Sequence, residues 1–494
     1  MTSDASFWLR LRRGLRSVLL SGLVALAAVA IAAANLVASP DDELLPDEQQ
    51  RLKQSQTQFQ GGTKSGSALN IVTVGQVSLN DRGFNGDVWF HEGFAYVGRW
   101  GFFDSSHPQF CPDDGGVAVI DATDPAHPIQ VADLNNPGAS AEDVVVYTAR
   151  FGPLAGRDIA VVGLQYCAAF RTSPGAVGHR GLDLWDVTIP SAPVWLATFD
   201  TGCCTRGVHE FEIADRTDLG RTYVYASVPF AERPEPGSPS GLRDHLGRGE
   251  AWIVEVTDPR RPVLVSTFGI KKDLGLNPLA GQGCFVTSFG HGVDPSEDAK
   301  TLFVSYWDAG YIALDISTPA RPRFLGKTTY AANEDGDAHS TSYDDARKLL
   351  FAADEDFCKT GPGIVPGWGY LRVFDASNRR AMTQIGVFKT QNSLGLADPG
   401  AGDYTIHNPL VVGTTVYISW YTDGVRVIDT SNPAAPREVA FFVPPAGKNP
   451  VKPSQRNVLT NTTQIWGVVV DPDTGLVYAS DMNTGLWILR RTNQ

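Results

Sequence analysis

The sequence predicts an all-β protein: a seven-bladed β-propeller of four-stranded blades, closed by the N-terminal strand completing the last blade. Three observations predict it. One strand–turn phrase recurs six times along the 494 residues. A second pair of apolar runs precedes each phrase, so the unit is a four-stranded meander, and a radial array of such meanders is a propeller. The two ends of the chain are complementary: a lone strand at the start, a unit short of one strand at the finish.

The phrase is a short β-branched run ending in an acid, followed by a turn of Ser/Thr, Asp/Asn and Pro, the residues that fix tight turns. Gly116-Val117-Ala118-Val119-Ile120-Asp121 leads to Thr123-Asp124-Pro125. Leu182-Asp183-Leu184-Trp185-Asp186 leads to Pro190, and Trp252-Ile253-Val254-Glu255 to Thr257-Asp258-Pro259. Ile312-Ala313-Leu314-Asp315 precedes Ser317-Thr318-Pro319, and Val425-Arg426-Val427-Ile428-Asp429 precedes Ser431-Asn432-Pro433. Leu371-Arg372-Val373-Phe374-Asp375 runs into Ser377-Asn378 without a proline. With the strands of each unit labelled A to D, the phrase is strand C, its turn and the start of strand D.

Strand A begins near Asp87, Asp143, His209, His291, His339, His407 and Trp466, which counts seven units. The last ends at Leu486-Trp487-Ile488-Leu489, a C strand with no D strand after it. Residues 70–79, an apolar run from Asn70 to Leu79, form a D strand with no A, B or C before it. Pairing the two closes the ring and removes two open sheet edges. Six or eight blades stay open, because the fifth phrase is degenerate. The phrase resembles the LVIVD-repeat family of bacterial and archaeal proteins over about residues 70 to 492. That resemblance implies a propeller on an exported or cell-surface protein and leaves the activity unspecified.

Residues 1–39 read as a signal peptide or an N-terminal membrane anchor. Arg10, Arg12, Arg13 and Arg16 precede an uncharged run from Ser17 to Ala38, the order of an export signal whose positive end stays in the cytoplasm. The run approaches the ~20 residues of a transmembrane helix. Residues 40–68 read as a flexible polar tether, and 69–494 as the propeller. The predicted location is extracytoplasmic, secreted or anchored at the outer side of the cytoplasmic membrane, with membrane contact only through an uncleaved N-terminal segment. A net charge of -13 excludes nucleic acid as a partner, since that needs a basic footprint.

Six cysteines in an exported chain predict disulfides. Cys111, Cys167 and Cys358 fall in loops between strands B and C, and Cys203, Cys204 and Cys284 in links between blades. In a meander these segments share one face. Cys111 and Cys167 can bridge neighbouring blades; the other pairings stay open, as does a thiolate metal or redox role that no CxxC spacing supports.

The histidines obey the same geometry. His209, His291, His339 and His407 stand where strand A begins in units 3 to 6. Strand A is the innermost strand of a blade, so four imidazoles are expected at the mouth of the central channel. Imidazole is the common ligand of zinc, copper and iron. Asp87 and Asp143 read as occupying the same place in units 1 and 2, with Glu210 beside His209, as supporting carboxylates. The competing reading makes each histidine a repeat residue bonded to the next blade. His107, His179 and His245 fall in loops of the same face.

Asp121, Asp186, Asp315, Asp375 and Asp429 end strand C at the opposite face. Recurrence in nearly every unit predicts that each caps its own turn; calcium there is the alternative. Trp100, Trp307, Trp368, Trp420 and Tyr421 lie near the loops of the histidine face, either as ligand-contacting aromatics or as packing beneath the loops. No nucleophile motif, phosphate loop or nucleotide fingerprint stands in a supporting context. Two functional readings follow. The favoured one is a non-enzymatic scaffold that binds a protein, glycan or small molecule through the face carrying the loops and links. The other is a metal-dependent oxidoreductase or hydrolase using the histidine cluster.

Overall fold

The computed structural model describes residues 65–100, 114–136, 138–166, 180–202, 205, 207–229, 249–283, 288–357, 367–394, 402–447 and 462–492. Seven antiparallel sheets follow one another along the chain. Blade 1 runs from Asn85–His91 to Ile129–Asn135, blade 2 from Ala139–Thr148 to Val194–Asp200 and blade 3 from Phe211–Arg216 to Val263–Phe268. Blade 4 runs from Gly292–Pro295 to Arg323–Lys327, blade 5 from Ala338–Asp344 to Thr383–Phe388 and blade 6 from Pro409–Val412 to Arg437–Val443. Blade 7 supplies Ile465–Val470, Val477–Asp481 and Gly485–Arg491 from the C-terminus. Its fourth strand is Ile71–Val77, which pairs antiparallel with Gly485–Arg491. The ring therefore closes as the two ends of the sequence require.

One strand was not anticipated. Ser67–Leu69 pairs with Phe441–Val443 and adds a fifth strand to blade 6. The backbone then turns at Asn70, whose φ is 53°, and enters blade 7. Asn70 also donates its side-chain amide to the Val439 carbonyl, and its own carbonyl accepts from Thr492 N–H. The N-terminal segment thus ties blades 6 and 7 together.

A second unanticipated feature recurs in every blade. Between strands C and D the register skips one residue of strand D. The skipped residue is Val131, Leu196, Val265, Leu325, Ile385, Val439 and, in the closing strand, Val74. The residue after it is always small: Ala132, Ala197, Ser266, Gly326, Gly386, Ala440 and Gly75. The turn of the next blade explains this. A Cβ at Gly75 would lie 2.1 Å from the Pro125 carbonyl, at Gly326 2.5 Å from that of Arg379, and at Gly386 2.2 Å from that of Pro433. Ser266 Oγ instead donates to the Pro319 carbonyl at 2.5 Å. In blades 3, 4, 5 and 7 the bulge makes a seat for the neighbouring turn, so these turns hold blade to blade. The N-terminal strand carries the same bulge and seat, which marks it as the native fourth strand of blade 7.

The core lies between blades. Val161 and Leu184 of blade 2 pack with Val224 and Val254 of blade 3, all fully buried. Val88, Val97 and Ile120 of blade 1 pack with Tyr478 and Ile488 of blade 7, sealing the ring.

The expectations of a transmembrane helix and of disulfides are corrected. Among the described residues no helix is long and apolar enough to cross a membrane, and no described residue is a cysteine. The arginine-led N-terminal run, Cys111, Cys167, Cys203, Cys204, Cys284, Cys358, His107, His179 and His245 lie outside the described residues.

Candidate metal centre

Pairing registers decide which residues share a level in the channel. The strand C acids Asp121, Asp186, Glu255, Asp315, Asp375 and Asp429 face Phe94, Ile159, Tyr223, Thr301, Leu349 and Thr415 of strand B. Three residues further along strand B, the partners on strand A are Val88, Val144, Phe211, Val293, Thr341 and Pro409. Two residues before each of these stand Gly86, Glu142, His209, His291, His339 and His407. One residue before stand Asp87, Asp143, Glu210, Gly292, Ser340 and Asn408.

The four histidines therefore share one level, as the repeat register implies. Asp87 and Asp143 do not join them. Each sits one residue further on, level with Glu210. Glu142, which sequence reasoning missed, holds the histidine level in blade 2. Gly86 and Asp87 in blade 1, and Glu142 and Asp143 in blade 2, are the residues that strand A skips in its pairing.

Each histidine follows its neighbour closely around the ring. Centroid separations are 4.3 Å for His209–His291, 3.9 Å for His291–His339 and 4.4 Å for His339–His407. The Nε2 atoms of His209 and His291 stand 2.8 Å apart. All four rings are 1–3 % exposed, so they lie below the surface and not at an open mouth.

Neighbours orient the rings. His407 donates Nδ1–H to the Trp466 carbonyl at 2.6 Å, leaving Nε2 with its lone pair. His209 Nδ1 faces Glu142 Oε2 at 2.5 Å, and Gln165 reaches both. Trp100 Nε1–H donates to the same Glu142 oxygen at 3.1 Å. His339 Nε2 stands 3.6 Å from Glu355 Oε2, and Tyr421 donates its hydroxyl to the other Glu355 oxygen. Such partners fix imidazole orientation and tautomer in metal sites.

Glu210 is the hub. Its oxygens stand 3.7 Å from His291 Nδ1 and 3.8 Å from His339 Nε2. Gly292 makes this reach possible, since a Cβ there would come within 2.8 Å of Glu210 Oε2. Three overlapping triads result: His209, Glu210 and His291; Glu210, His339 and His407; His291, His339 and Glu355. In each, three ligand atoms lie within 4.8 Å of one another. No such group among the described residues contains all four histidines, so the arrangement favours two histidines and a carboxylate over a four-histidine cage.

The electrostatics agree. Burial, then the neighbouring imidazoles, pushes His291 and His339 well below the ordinary histidine value, which keeps both neutral and able to ligate. Burial, then Asp143, Glu142, Asp87 and Glu355, pushes Glu210 well above the ordinary value. On the same channel lining Asp87 rises to about 7 and Glu212 to about 8, burial leading in both. No lysine or arginine lines this stretch among the described residues. Two ligands bonded to one ion at ~2.0–2.1 Å stand about 3.4 Å apart at tetrahedral angles, and the observed separations bracket that value. The grouped donors could coordinate a metal ion.

The aromatics wall the centre. Trp307 lies 5.2 Å from His291, Trp466 4.3 Å and Tyr421 5.2 Å from His407, and Trp100 5.4 Å from Trp466, as ring centroids. Trp420 packs instead in the core around blade 6 and donates Nε1–H to the Tyr404 carbonyl. Trp368 packs on Phe357 and Tyr404. All five predicted aromatics are buried.

No curated protein sequence matches the chain. A putative 6-phosphogluconolactonase from Bacteroides uniformis is similar in structure, with 11% identity, 78% of this chain and 88% of that one covered, and a TM-score of 0.47. The Cps50 (Swd1) β-propeller domain of Myceliophteria thermophila shares 11% identity over 85% of this chain and 99% of its own, with a TM-score of 0.45. Residues 410–442, strands A to D of blade 6, match the LVIVD repeat. The chain is a seven-bladed β-propeller carrying an LVIVD repeat, consistent with the LVIVD-family propeller proteins.

Proposed function

We propose that this propeller is an exported metal-dependent enzyme, an oxidoreductase or hydrolase, whose centre is built from His209, His291, His339, His407 and Glu210. One observation carries the reading: Glu210 reaches two histidines from a buried position that otherwise surrounds it with carboxylates. Two histidines with one carboxylate is the donor set of non-haem iron sites and of hydrolytic zinc sites; copper also suits imidazole. A bound ion of this class would supply Lewis acidity or, for iron or copper, one-electron redox chemistry.

The remaining groups have definable tasks. Glu142 and the Trp466 carbonyl hold His209 and His407 in orientation. Glu355 sits between the Tyr421 hydroxyl and His339, a placement suited to moving a proton. The aromatic wall keeps bulk water from the rings. Glu210, held well above the ordinary carboxylate value, would have to lose its proton to ligate an ion, so metal binding would release protons.

Metal analysis of full-length protein from its native compartment tests this. The expected result is close to one equivalent of iron, zinc or copper, lost in a His291→Ala, His339→Ala double variant and in Glu210→Gln. Wild-type protein that stays metal-free under metal-replete conditions would sink the proposal. A seven-bladed propeller can also act as an interaction scaffold, and binding of a protein, glycan or small-molecule ligand at the loop-bearing face is the reading that then remains.

A further inference from the structure

A second cluster lies outside the histidine ring. Asp308 belongs to the loop between strands B and C of blade 4. Asp335 and Asp337 belong to the link from blade 4 to blade 5. One oxygen from each lies within 4.8 Å of the others. Asp335 and Asp337 are each 3 % exposed.

Like charges do not gather in a protein interior without compensation. Among the described residues no lysine or arginine forms an ion pair with Asp308 or Asp337; nearby Arg372 is held by Asp354 and Glu334. A second observation points the same way. Asp337 Oδ1 is buried and has no hydrogen-bond partner. It is a carboxyl oxygen of a residue grouped with two other acids, with no donor on it.

A third segment closes over the group. A Cβ at Gly281 would lie 1.8 Å from Asp308 Oδ2, and one at Gly283 would lie 1.8 Å from Asp335 Oδ1. The link from blade 3 to blade 4 therefore rests on the carboxylates through glycines that alone leave room for them. Three segments converge on an all-oxygen, acidic pocket. Oxygen-only donors select hard cations, and calcium accepts carboxylates from irregular loops where magnesium demands a near-octahedral set.

We propose that Asp308, Asp335 and Asp337 bind a calcium ion that clamps the links flanking blade 4. The clamp adjoins the histidine ring. Ala338, next after Asp337, exchanges two backbone hydrogen bonds with Trp307, at 3.1 and 3.2 Å. Trp307 in turn packs on His291, and His339 follows Ala338. Occupancy holds one wall of the histidine centre in place. The proposal does not depend on what the histidines bind.

Calcium chloride titrated into chelator-treated full-length protein tests it by calorimetry and thermal melting. One saturable site is expected, with Tm raised by on the order of 3 °C at saturation. Trp307 adjoins Asp308, so terbium in the site should show tryptophan-sensitised luminescence that calcium displaces. Asp337→Asn and Asp308→Asn should each weaken calcium binding at least tenfold. In chelator, Asp337→Asn should melt at or above the wild-type temperature, because an uncompensated charge is gone. Calcium binding should persist in His291→Ala. No calcium-dependent shift in the wild type, or an unchanged shift in both Asn variants, overturns the proposal. So does an Asp337→Asn protein that melts below wild type in chelator, which would make the carboxylate a structural acceptor.

Discussion

Asp375 and Glu210 are acids at opposite ends of the blades, and their surroundings treat them in opposite ways. Asp375 ends a C strand at the turn-bearing face. The Ser377 hydroxyl and amide bond its carboxylate and hold its pKa below the ordinary value. Asp315 and Asp429 are partly buried, which alone would raise them, yet the amides and hydroxyls of Ser317 and Ser431 together with Arg323 and Arg437 hold both low. Glu210 and Asp143 in the channel rise well above it, through burial first and then through neighbouring carboxylates, Asp143 for Glu210 and Asp87 for Asp143. At the turn face the donors to these acids outweigh burial; in the channel, burial and neighbouring acids outweigh the donors that Asp143 and Asp87 do have. A carboxylate repeated with its own donors is part of the scaffold; one set among its own kind is poised for a cation.

Removing a carboxylate that does have partners on the channel side should have the largest effect. Glu142 accepts from Trp100 Nε1–H and from Gln165, and faces His209 Nδ1. Glu142→Ala leaves buried donors without an acceptor, which costs about 3 kcal/mol by the usual penalty per group. It also frees His209 to rotate, so affinity for the transition metal should fall roughly 10- to 100-fold. Urea denaturation and competitive metal titration measure the two. A variant as stable as wild type and with unchanged metal affinity would show that Glu142 does not orient His209.

A channel carboxylate that lacks a cation should destabilise the protein, and with a definite pH dependence. Asp294 rises from 3.8 to about 7, mainly through burial. Its folded value exceeds its unfolded value, so its contribution is most favourable below about 3.8 and is lost as pH rises through 7. Asp294→Asn should match wild type at pH 3.5 and be more stable at pH 8. The gain should be on the order of 1–2 kcal/mol, less than the full shift implies, because the Tyr343 amide already compensates part of the charge. Denaturation at both pH values reads the sign. Equal differences at the two would show that Asp294 binds its proton equally in the folded and unfolded protein, so that burial does not raise it.

The turn-bearing face was legible in the sequence and the channel face only in part. Asp121, Asp315, Asp375 and Asp429 recur beside their own Ser or Thr donors, so a local motif carried the whole interaction. The ring of His209, His291, His339 and His407 was legible for the same reason, since a repeat transmits its register. Asp87 and Asp143 were misplaced by one residue because strand A of blades 1 and 2 begins without a histidine to mark the level. Glu355 was invisible because it follows strand B of blade 5 and reaches His339 through the fold. The bulge in strand D did leave a trace, an apolar residue followed by a small one, as in Val74-Gly75 and Ile385-Gly386. Its meaning depended on the neighbouring turn, which no single repeat contains.

The smallest effect is the sharpest check on the comparison, because its pH dependence has the opposite sign. Asp375→Ala removes the acceptor for the Ser377 amide at 2.9 Å and for its hydroxyl. The cost should be about 1 kcal/mol at pH 7, since both donors can turn to water at this exposed turn. The folded pKa lies below the unfolded value, so the stabilisation is present above about 3.8 and is lost as pH falls through the folded value. Wild type and variant should therefore converge in acid, whereas Asp294→Asn and wild type diverge towards alkaline pH. Two aspartates of one propeller would then respond to pH in opposite senses, one bonded to its own turn and one facing other acids. Convergence of the Asp375 pair at high pH instead would mean that its turn carries no charge-assisted cap, and the distinction between the two faces would fail there.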